Sequence, residues 1–384
     1  MVTMKKEVII LGDIEMGAGT LTDDFISDTT LSRLIISLVK KKHPVDLILN
    51  GDTFDFLKCP YITKQGKKTY PRHISQDISL GKLGLIFQAH QRVFDALHEF
   101  AAATKNRLFF TIGNHDHDLF YKGIQHEIRK RLKSRGNVYF GLQYKEHGIY
   151  AEHGQQYDAI NRINPQNYAF IHKGRKHLNL PWVSFAVISG FTGLKEEHPF
   201  LERIRPIPLL FSVHQEAKKK LSAHSLRYFL KSVFYYPFRY FMDPTYSFPR
   251  SLFHEFYRRL RNMHWDIDGV VNVFKKKKKK LIQKHKIFVF GHIHKKYLEE
   301  KGGTVIIHPD TWRDEYILDE RTKKLIPKLK HYVQILVKDN GELQWSLQPV
   351  SIQRSSWNFA DVAQNERAFI RLAAREEGFI PVKT

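Results

Sequence analysis

Along the first 160 residues, short unbroken apolar runs alternate with stretches of helical period. EVIILG (7–12), VDLILN (45–50) and RLFFTI (107–112) lack the in–out alternation of a half-exposed strand, so they read as strands buried on both faces. Between them, residues 31–42 predict a helix. Residues 83–104 predict a second, with Ile86, Ala89, Val93, Leu97 and Phe100 on one face. Residues 149–152 predict another strand. From 160 to 285 the strand pattern gives way to helix and loop. It returns at 286–290 and 304–307, and again at 332–338 and 342–348, which flank the turn Asp339-Asn340-Gly341. Residues 361–377 predict a peripheral helix. Alternating strands and helices predict an α/β domain split into 1–159 and 286–350. A long, mainly helical insertion (160–285) interrupts it, and a peripheral tail (351–384) follows.

The strand ends carry the chemistry. Apolar runs lead into Gly12-Asp13, Gly51-Asp52, Gly113-Asn114-His115-Asp116, His153-Gly154 and Gly291-His292-Ile293-His294. In open α/β sheets, ligands bind at the carboxyl ends of strands. Carboxylate, amide and imidazole donors together suit Mn, Fe, Zn or a similar dication. The set exceeds one four-ligand site and matches two ions that share a carboxylate. Any one motif is ordinary, since Gly-Asp after a strand caps many helices. The ordered series is the informative feature.

That series, GDIE (12–15), GD (51–52), GNHD (113–116), HG (153–154) and GHIH (291–294), resembles the calcineurin-like metallophosphoesterase superfamily over 7–159 and 286–350. The resemblance implies a four-layer fold, a β-sandwich flanked by helices. It implies two divalent ions, Mn first, with Fe, Zn, Ni and Mg as alternatives. It also implies in-line attack of activated water on a phosphomonoester, phosphodiester or pyrophosphate. Asp52 would bridge the ions, Asp13 and His294 would hold one, and Asn114, His153 and His292 the other. His115, oriented by Asp116, would stand beside the scissile phosphate. One departure is Asp13-Ile14-Glu15, where the family usually has Asp-x-His. Glu15 either ligates through oxygen or leaves that position to water. As a ligand it would add negative charge and favour a hard ion such as Mn. IHPDTW (307–312) stands where many members have Asn-Thr-Gly, and His308 and Asp310 are expected to be turn residues there. GDTFDF has Phe56 where phosphoprotein phosphatases carry arginine, which argues against that group. The UDP-2,3-diacylglucosamine pyrophosphatases are similar in having a helical insert between HG and GHxH, although they read GNRD where this chain has GNHD.

Charge extends the picture to partners. Among 384 residues, 62 Lys and Arg face 39 Asp and Glu, a net +23, which favours phosphate-bearing partners. Residues 214–286 hold eighteen Lys and Arg against five Asp and Glu, and residues 228–265 hold fourteen aromatics. This mixture suits an anionic membrane surface or nucleic acid. Arg258, Arg259, Arg261, Lys275 and Lys276 are the expected contacts. The plain alternative is a helical cap with a solvated basic face. A single cysteine, Cys59, excludes an intrachain disulfide. No run approaches the ~20 apolar residues of a span. No signal peptide is evident, so a cytoplasmic protein, peripheral at a membrane, is expected. Three function classes follow: a phosphoesterase on a small or lipid-linked phosphate, a metal-dependent nuclease, and a non-catalytic phosphate-binding protein.

Overall fold

The computed structural model describes residues 4–206, 208–246 and 267–379. It is a mixed α/β structure with two principal sheets. The larger has six strands in the spatial order Leu343–Val350, Lys330–Lys338, Met4–Leu11, Val45–Asn50, Arg107–Thr111 and Val138–Gly141. Its last four strands are mutually parallel. The hairpin predicted around Asp339-Asn340-Gly341 supplies its antiparallel edge. The second sheet runs Lys296–Lys301, Thr304–Pro309, Ile287–Phe290, Ile149–Glu152 and Gln143–Glu146, with a parallel trio at its centre.

The unbroken apolar runs are explained by burial on both faces. Ile9 and Leu11 join a core with the helices Asp28–Val39, Gln76–Ala89 and Gln91–Ala102. Their neighbours Val8 and Ile10 point the other way, into a core shared with Ile149, Ile287, Val289 and Ile335. Successive side chains alternate across a strand, so each run feeds two cores. On the far side of the second sheet, Tyr150, Phe288 and Phe290 pack against Val271 and Phe274 of the helix Ile267–Lys277. Strands from both sides of the insertion therefore share both sheets.

Three expectations change. The helix predicted over 83–104 is two helices, broken at His90. His90 leaves helical geometry, and its buried ring bonds Asp28 through Nδ1 at 2.8 Å. The insertion is mainly helical, but it contains the hairpin Ala169–His172/Arg175–Leu178. Its Ile204–Arg205 also pairs with Tyr316–Ile317. The tail is not peripheral. Its helices Phe359–Gln364 and Glu366–Glu376 bury Val362, Ile370 and Ala373 against Leu201, Ile204 and Tyr316. Arg354 makes a buried pair with Asp314 at 2.7 Å. Apolar positions at i, i+3 and i+4 mark the inner face but do not say what it meets.

Candidate functional site

The five motif loops converge because the parallel strands that carry them end on the same side of two packed sheets. Each strand ends in a sharp reversal. Asp13, Glu15, Asp52, His292 and His294 all take positive φ, from 47° to 77°. Left-handed backbone at non-glycine residues costs on the order of 1 kcal/mol or more each, and such strain clusters at functional sites. Gly113 and Gly291 permit the close approach. A Cβ on Gly113 would lie 2.1 Å from Asp52 Oδ1, and one on Gly291 2.6 Å from Asp13 Oδ2.

Asp52 stands at the centre. Its Oδ1 accepts the backbone N–H of His115 at 2.7 Å, and its Oδ2 lies 3.0 Å from His153 Nε2. His153 Nδ1 meets the backbone carbonyl of Asn50 at 3.1 Å, while Nε2 lies 3.1 Å from Asn114 Oδ1. A proton on Nδ1 for the carbonyl leaves the Nε2 lone pair facing Asp52 and Asn114. Asp13 Oδ1 accepts the N–H of His292 at 2.8 Å and lies 3.2 Å from His294 Nε2. Asp13 Oδ2 is buried without a hydrogen-bond partner. His292 Nε2 lies 3.0 Å from Asp158 Oδ2.

Such a set fits divalent ions. Asp13, Asp52 and His153 each present a donor atom, all within 4.8 Å of one another, and Glu15, Asp52 and His115 form a second such group. Asp13 and Asp52 are fully buried, which would raise their pKa values, yet His153 beside both holds them below the usual range. Burial disfavours protonated His153, but Asp52 and Asp13 raise it to about 9. Protons here do what a bound cation would do, offsetting buried carboxylate charge. Asp52, Asn114, His153 and His292 could hold one ion. Asp13, Asp52 and His294 could hold the other.

Glu15 differs from the expectation. Its carboxylate lies 3.6 Å from His294 Nε2, within reach of the same ion, but it is already paired. Lys58 Nζ lies 3.1 Å from Oε2 and Arg313 Nη1 3.3 Å from Oε1. Both cations are buried, and burial would lower them, but Asp24 and the other carboxylates around them raise both well above normal. The idea that Glu15 adds free negative charge for a hard ion is therefore corrected, because Lys58 and Arg313, shared with Asp24 and Glu202, already offset part of that charge.

Asp116 is also corrected. Its carboxylate does not face His115. It accepts the N–H of Gly113 at 2.6 Å and of Thr53 at 2.8 Å, tying the GNHD turn to the Gly51-Asp52 turn. Burial and nearby Asp52 raise it to about 8. The acid that meets His115 is Asp55, with Oδ1 at 3.1 Å from Nδ1. Burial would lower His115, but Glu15, Asp55 and Asp52 together raise it to about 10. A cationic imidazole with an open edge can donate to a phosphoryl or leaving oxygen.

Sequence reasoning missed Asp55, Lys58, Arg313 and Asp158. Asp55 lies three residues beyond Asp52 in GDTFD, a spacing legible in the sequence. Arg313 immediately follows IHPDTW, where His308 lies within the strand Thr304–Pro309 rather than in a turn, Thr311 Oγ1 donates to the Asp13 carbonyl at 3.0 Å, and Asp310 accepts the Thr311 N–H at 2.8 Å. His308 is buried, and burial pushes it down to about 3.

In the basic insertion, Lys275 is not free for a partner, because Glu299 Oε2 lies 2.6 Å from its Nζ. Lys276 is exposed. Arg258, Arg259 and Arg261 lie outside the described residues. No described helix is long and apolar enough to cross a membrane.

No family model and no curated protein matches the chain. Among solved structures, it aligns with a proposed 5′-nucleotidase from Staphylococcus aureus crystallised with alpha-ketoglutarate. That alignment has 11% identity and a TM-score of 0.32, and covers 97% of this chain and 58% of the nucleotidase. It also aligns with the phosphopantetheinyl hydrolase of Mycobacterium tuberculosis, at 11% identity and a TM-score of 0.29, over 80% of this chain and 90% of that one. Likeness at these scores carries no argument about this chain.

Proposed function

We propose that the protein is a metal-dependent phosphoester hydrolase with two divalent ions at the strand ends, on the four-layer metallophosphoesterase architecture. The catalytic unit would comprise 1–159 and 286–350. The supporting observation is the convergence of Asp13, Asp52, Asn114, His153, His292 and His294 beside a His115–Asp55 pair. Three oxygen-bearing side chains with three imidazoles suit a first-row dication; Mn is the ion proposed, with Fe, Zn, Ni and Mg as alternatives. When bound, the ions would lower the pKa of attacking water and neutralise phosphoryl oxygens. The chain's own residues set the geometry. Asn50 fixes the His153 tautomer, Asp158 orients His292, and Asp116 locks two motif turns together. Glu15, Asp55 and Asp52 keep His115 protonated, so its N–H can stabilise charge on the phosphoryl group or donate to the departing oxygen.

A lipid-linked phosphate is the favoured substrate class, with cytoplasmic, membrane-peripheral placement as part of the same proposal. Leu226, Leu230 and Phe234 repeat at i, i+4 on the helix Gln215–Phe234, and all are exposed, as are Phe238, Phe241 and Met242 just beyond. Arg227, Lys231 and Arg239 lie among them. Leucine and methionine bury well at a lipid interface but cannot stack on bases, which sets the nuclease reading second.

The test is a broad screen of mono-, di- and pyrophosphates with chelator-stripped protein reloaded with Mn. Wild type should turn over at least one class, chelation should stop it, and Asp52→Asn should not restore it. Reloaded protein that cleaves nothing across Mn, Fe, Zn and Ni would defeat the proposal. Salt-sensitive degradation of DNA, with no vesicle binding, would transfer it to the nuclease reading.

A further inference from the structure

A second cluster of metal-type donors shares no residue with the strand-end centre. The insertion hairpin turns at Lys173-Gly174, with φ of 49° and 73°, the left-handed pair a two-residue hairpin needs. Its register pairs His172 with Arg175 and His177 with Phe170. His172 and His177 are therefore diagonal neighbours on one face. Their rings lie 6.3 Å apart. His73, from the loop before the helix Gln76–Ala89, stacks on His172 at 4.9 Å and meets His177 edge-on at 5.4 Å.

The fourth member comes from the far end of the insertion. Asp243 is buried, and its Oδ2 lies 2.9 Å from His73 Nε2. Its other oxygen is taken, since Oδ1 accepts Thr245 N–H at 3.0 Å and Thr245 Oγ1 at 2.8 Å. Arg72 clamps the same threonine, donating from Nε to Oγ1 at 2.8 Å and from Nη2 to the carbonyl at 2.6 Å. The Arg72 guanidinium lies 4.2 Å from the Phe185 ring centre and 4.1 Å from that of Tyr246. A carboxylate whose second oxygen is pinned in this way has its first aimed, as outer-layer partners aim metal ligands. His73, His172 and Asp243 each place one donor atom within 4.8 Å of the other two.

Hydrogen bonding leaves this cluster under-satisfied. His177 is buried, and its Nδ1 has no hydrogen-bond partner. Imidazoles together with a carboxylate are a zinc donor set. In tetrahedral zinc sites with bonds of ~2.0–2.1 Å, ligand atoms lie about 3.3 Å apart, close to the His73–Asp243 separation.

We propose that His73, His172 and Asp243 bind a zinc-class divalent ion, with His177 as the adjoining fourth donor. The ion ties the 70–75 loop, the hairpin and the Asp243 turn together, so it staples the insertion to the part of the chain bearing the strand-end centre. This site stands whether or not the phosphoesterase reading does.

The experiment uses full-length protein with Asp52→Asn, which weakens the strand-end centre, stripped and then titrated with Zn²⁺ and, as a spectroscopic probe, Co²⁺. The Asp52→Asn protein should retain a zinc equivalent, show the visible absorption of low-coordinate Co²⁺, and melt at higher temperature with zinc. Adding His172→Gln should weaken zinc binding by roughly 100-fold or more and abolish both signals. Asp243→Asn keeps Oδ1 for Thr245 and so preserves the turn. It should have the same effect and carries the test if the His172 variant does not fold. Unchanged zinc content and an unchanged melting shift in the folded variants would overturn the site and leave only a His73–Asp243 ion pair with stacked rings.

Discussion

The two halves of the strand-end centre use the same residue types, but only one of them, through Glu15, borders a buried ionic network. Asp52, Asn114, His153 and His292 form one half, and Asp13, Glu15 and His294 the other. Among the described residues, Asp13 and Asp52 pair only with imidazoles. Glu15 instead borders a buried ionic network. Lys58 meets Glu15, Asp24, Asp55 and Glu202, Lys195 meets Asp24 and Glu202, and Arg313 meets Glu15, Asp24 and Glu202. Those are four carboxylates against three permanent cations, and protonated His115 beside Asp55 evens the count. A carboxylate at a motif position is therefore not by itself charge available to an ion. The neighbours decide how much is left over.

The largest effect belongs to the residue both halves share. Asp52→Asn should lower turnover by at least ~10³-fold, roughly 4 kcal/mol, because it weakens both sites at once. The Mn held at the strand-end centre, measured by mass spectrometry, should fall toward zero, the zinc proposed at His73, His172 and Asp243 should remain, and the melting temperature of the metal-free protein should stay close to wild type. Retention of both ions would remove Asp52 from its bridging place.

The network half should respond in stability. Arg313→Met leaves Glu15, Asp24 and Glu202 with only two lysines, and stranding buried charge costs about 3–5 kcal/mol. Urea denaturation should show that loss. His292→Ala, in the other half, should cost far less stability and far more activity. Equal stability losses in the two variants would erase the contrast between the halves.

Much of this contrast was beyond the sequence. The strands at 45–50 and 149–152 and the metal-type donors at their ends were legible, because a run buried on both faces must be apolar and a sharp exit needs Gly next to a polar residue. In the structure Asp13, Asp52, Asn114, His153, His292 and His294 lie together. The ionic network was not legible. Lys58, the stretch bearing Lys195 and Glu202, and Arg313 are three separate segments, and a buried lysine looks like a surface lysine until its partners are placed. The same holds for Asp116, whose carboxylate turned inward to two backbone N–H groups, and for the tail, whose apolar face did not name its partner.

Glu15→His tests the charge argument in reverse. Restoring the usual Asp-x-His pattern would be harmless if Glu15 were only a ligand. Here it removes the carboxylate that Lys58 and Arg313 share and sets an imidazole beside both. Stability should fall by roughly 1–3 kcal/mol. Metal preference should not move toward zinc. A stable variant with a clear shift to zinc would show that the ion, not the cations, dominates Glu15.

The smallest effect concerns Asp55 and pH, and it is read in metal-free protein. His115 is raised from the ordinary histidine value of 6.5 to about 10. A group whose folded pKa is raised adds stability that is fully present below its unfolded pKa and is lost as pH climbs through the folded value. Stability should therefore decline between about pH 6.5 and 10. Asp55→Asn removes one of the carboxylates that raise His115, so its titration should move down and part of that decline should flatten. Some slope will remain, because His90 and His153 are each raised to about 9, the first chiefly by Asp28 against its burial and the second by Asp52. Denaturation midpoints across this range, with the His115 ring followed by NMR, would measure both changes. With metal restored, Asp55→Asn should lower turnover by about 10–100-fold, at the low end for a lost acid–base group. Asp116→Asn should leave the His115 titration nearly unmoved, since its carboxylate holds backbone rather than the ring. If Asp116→Asn shifted that titration and Asp55→Asn did not, the pairing of His115 with Asp55 would be wrong.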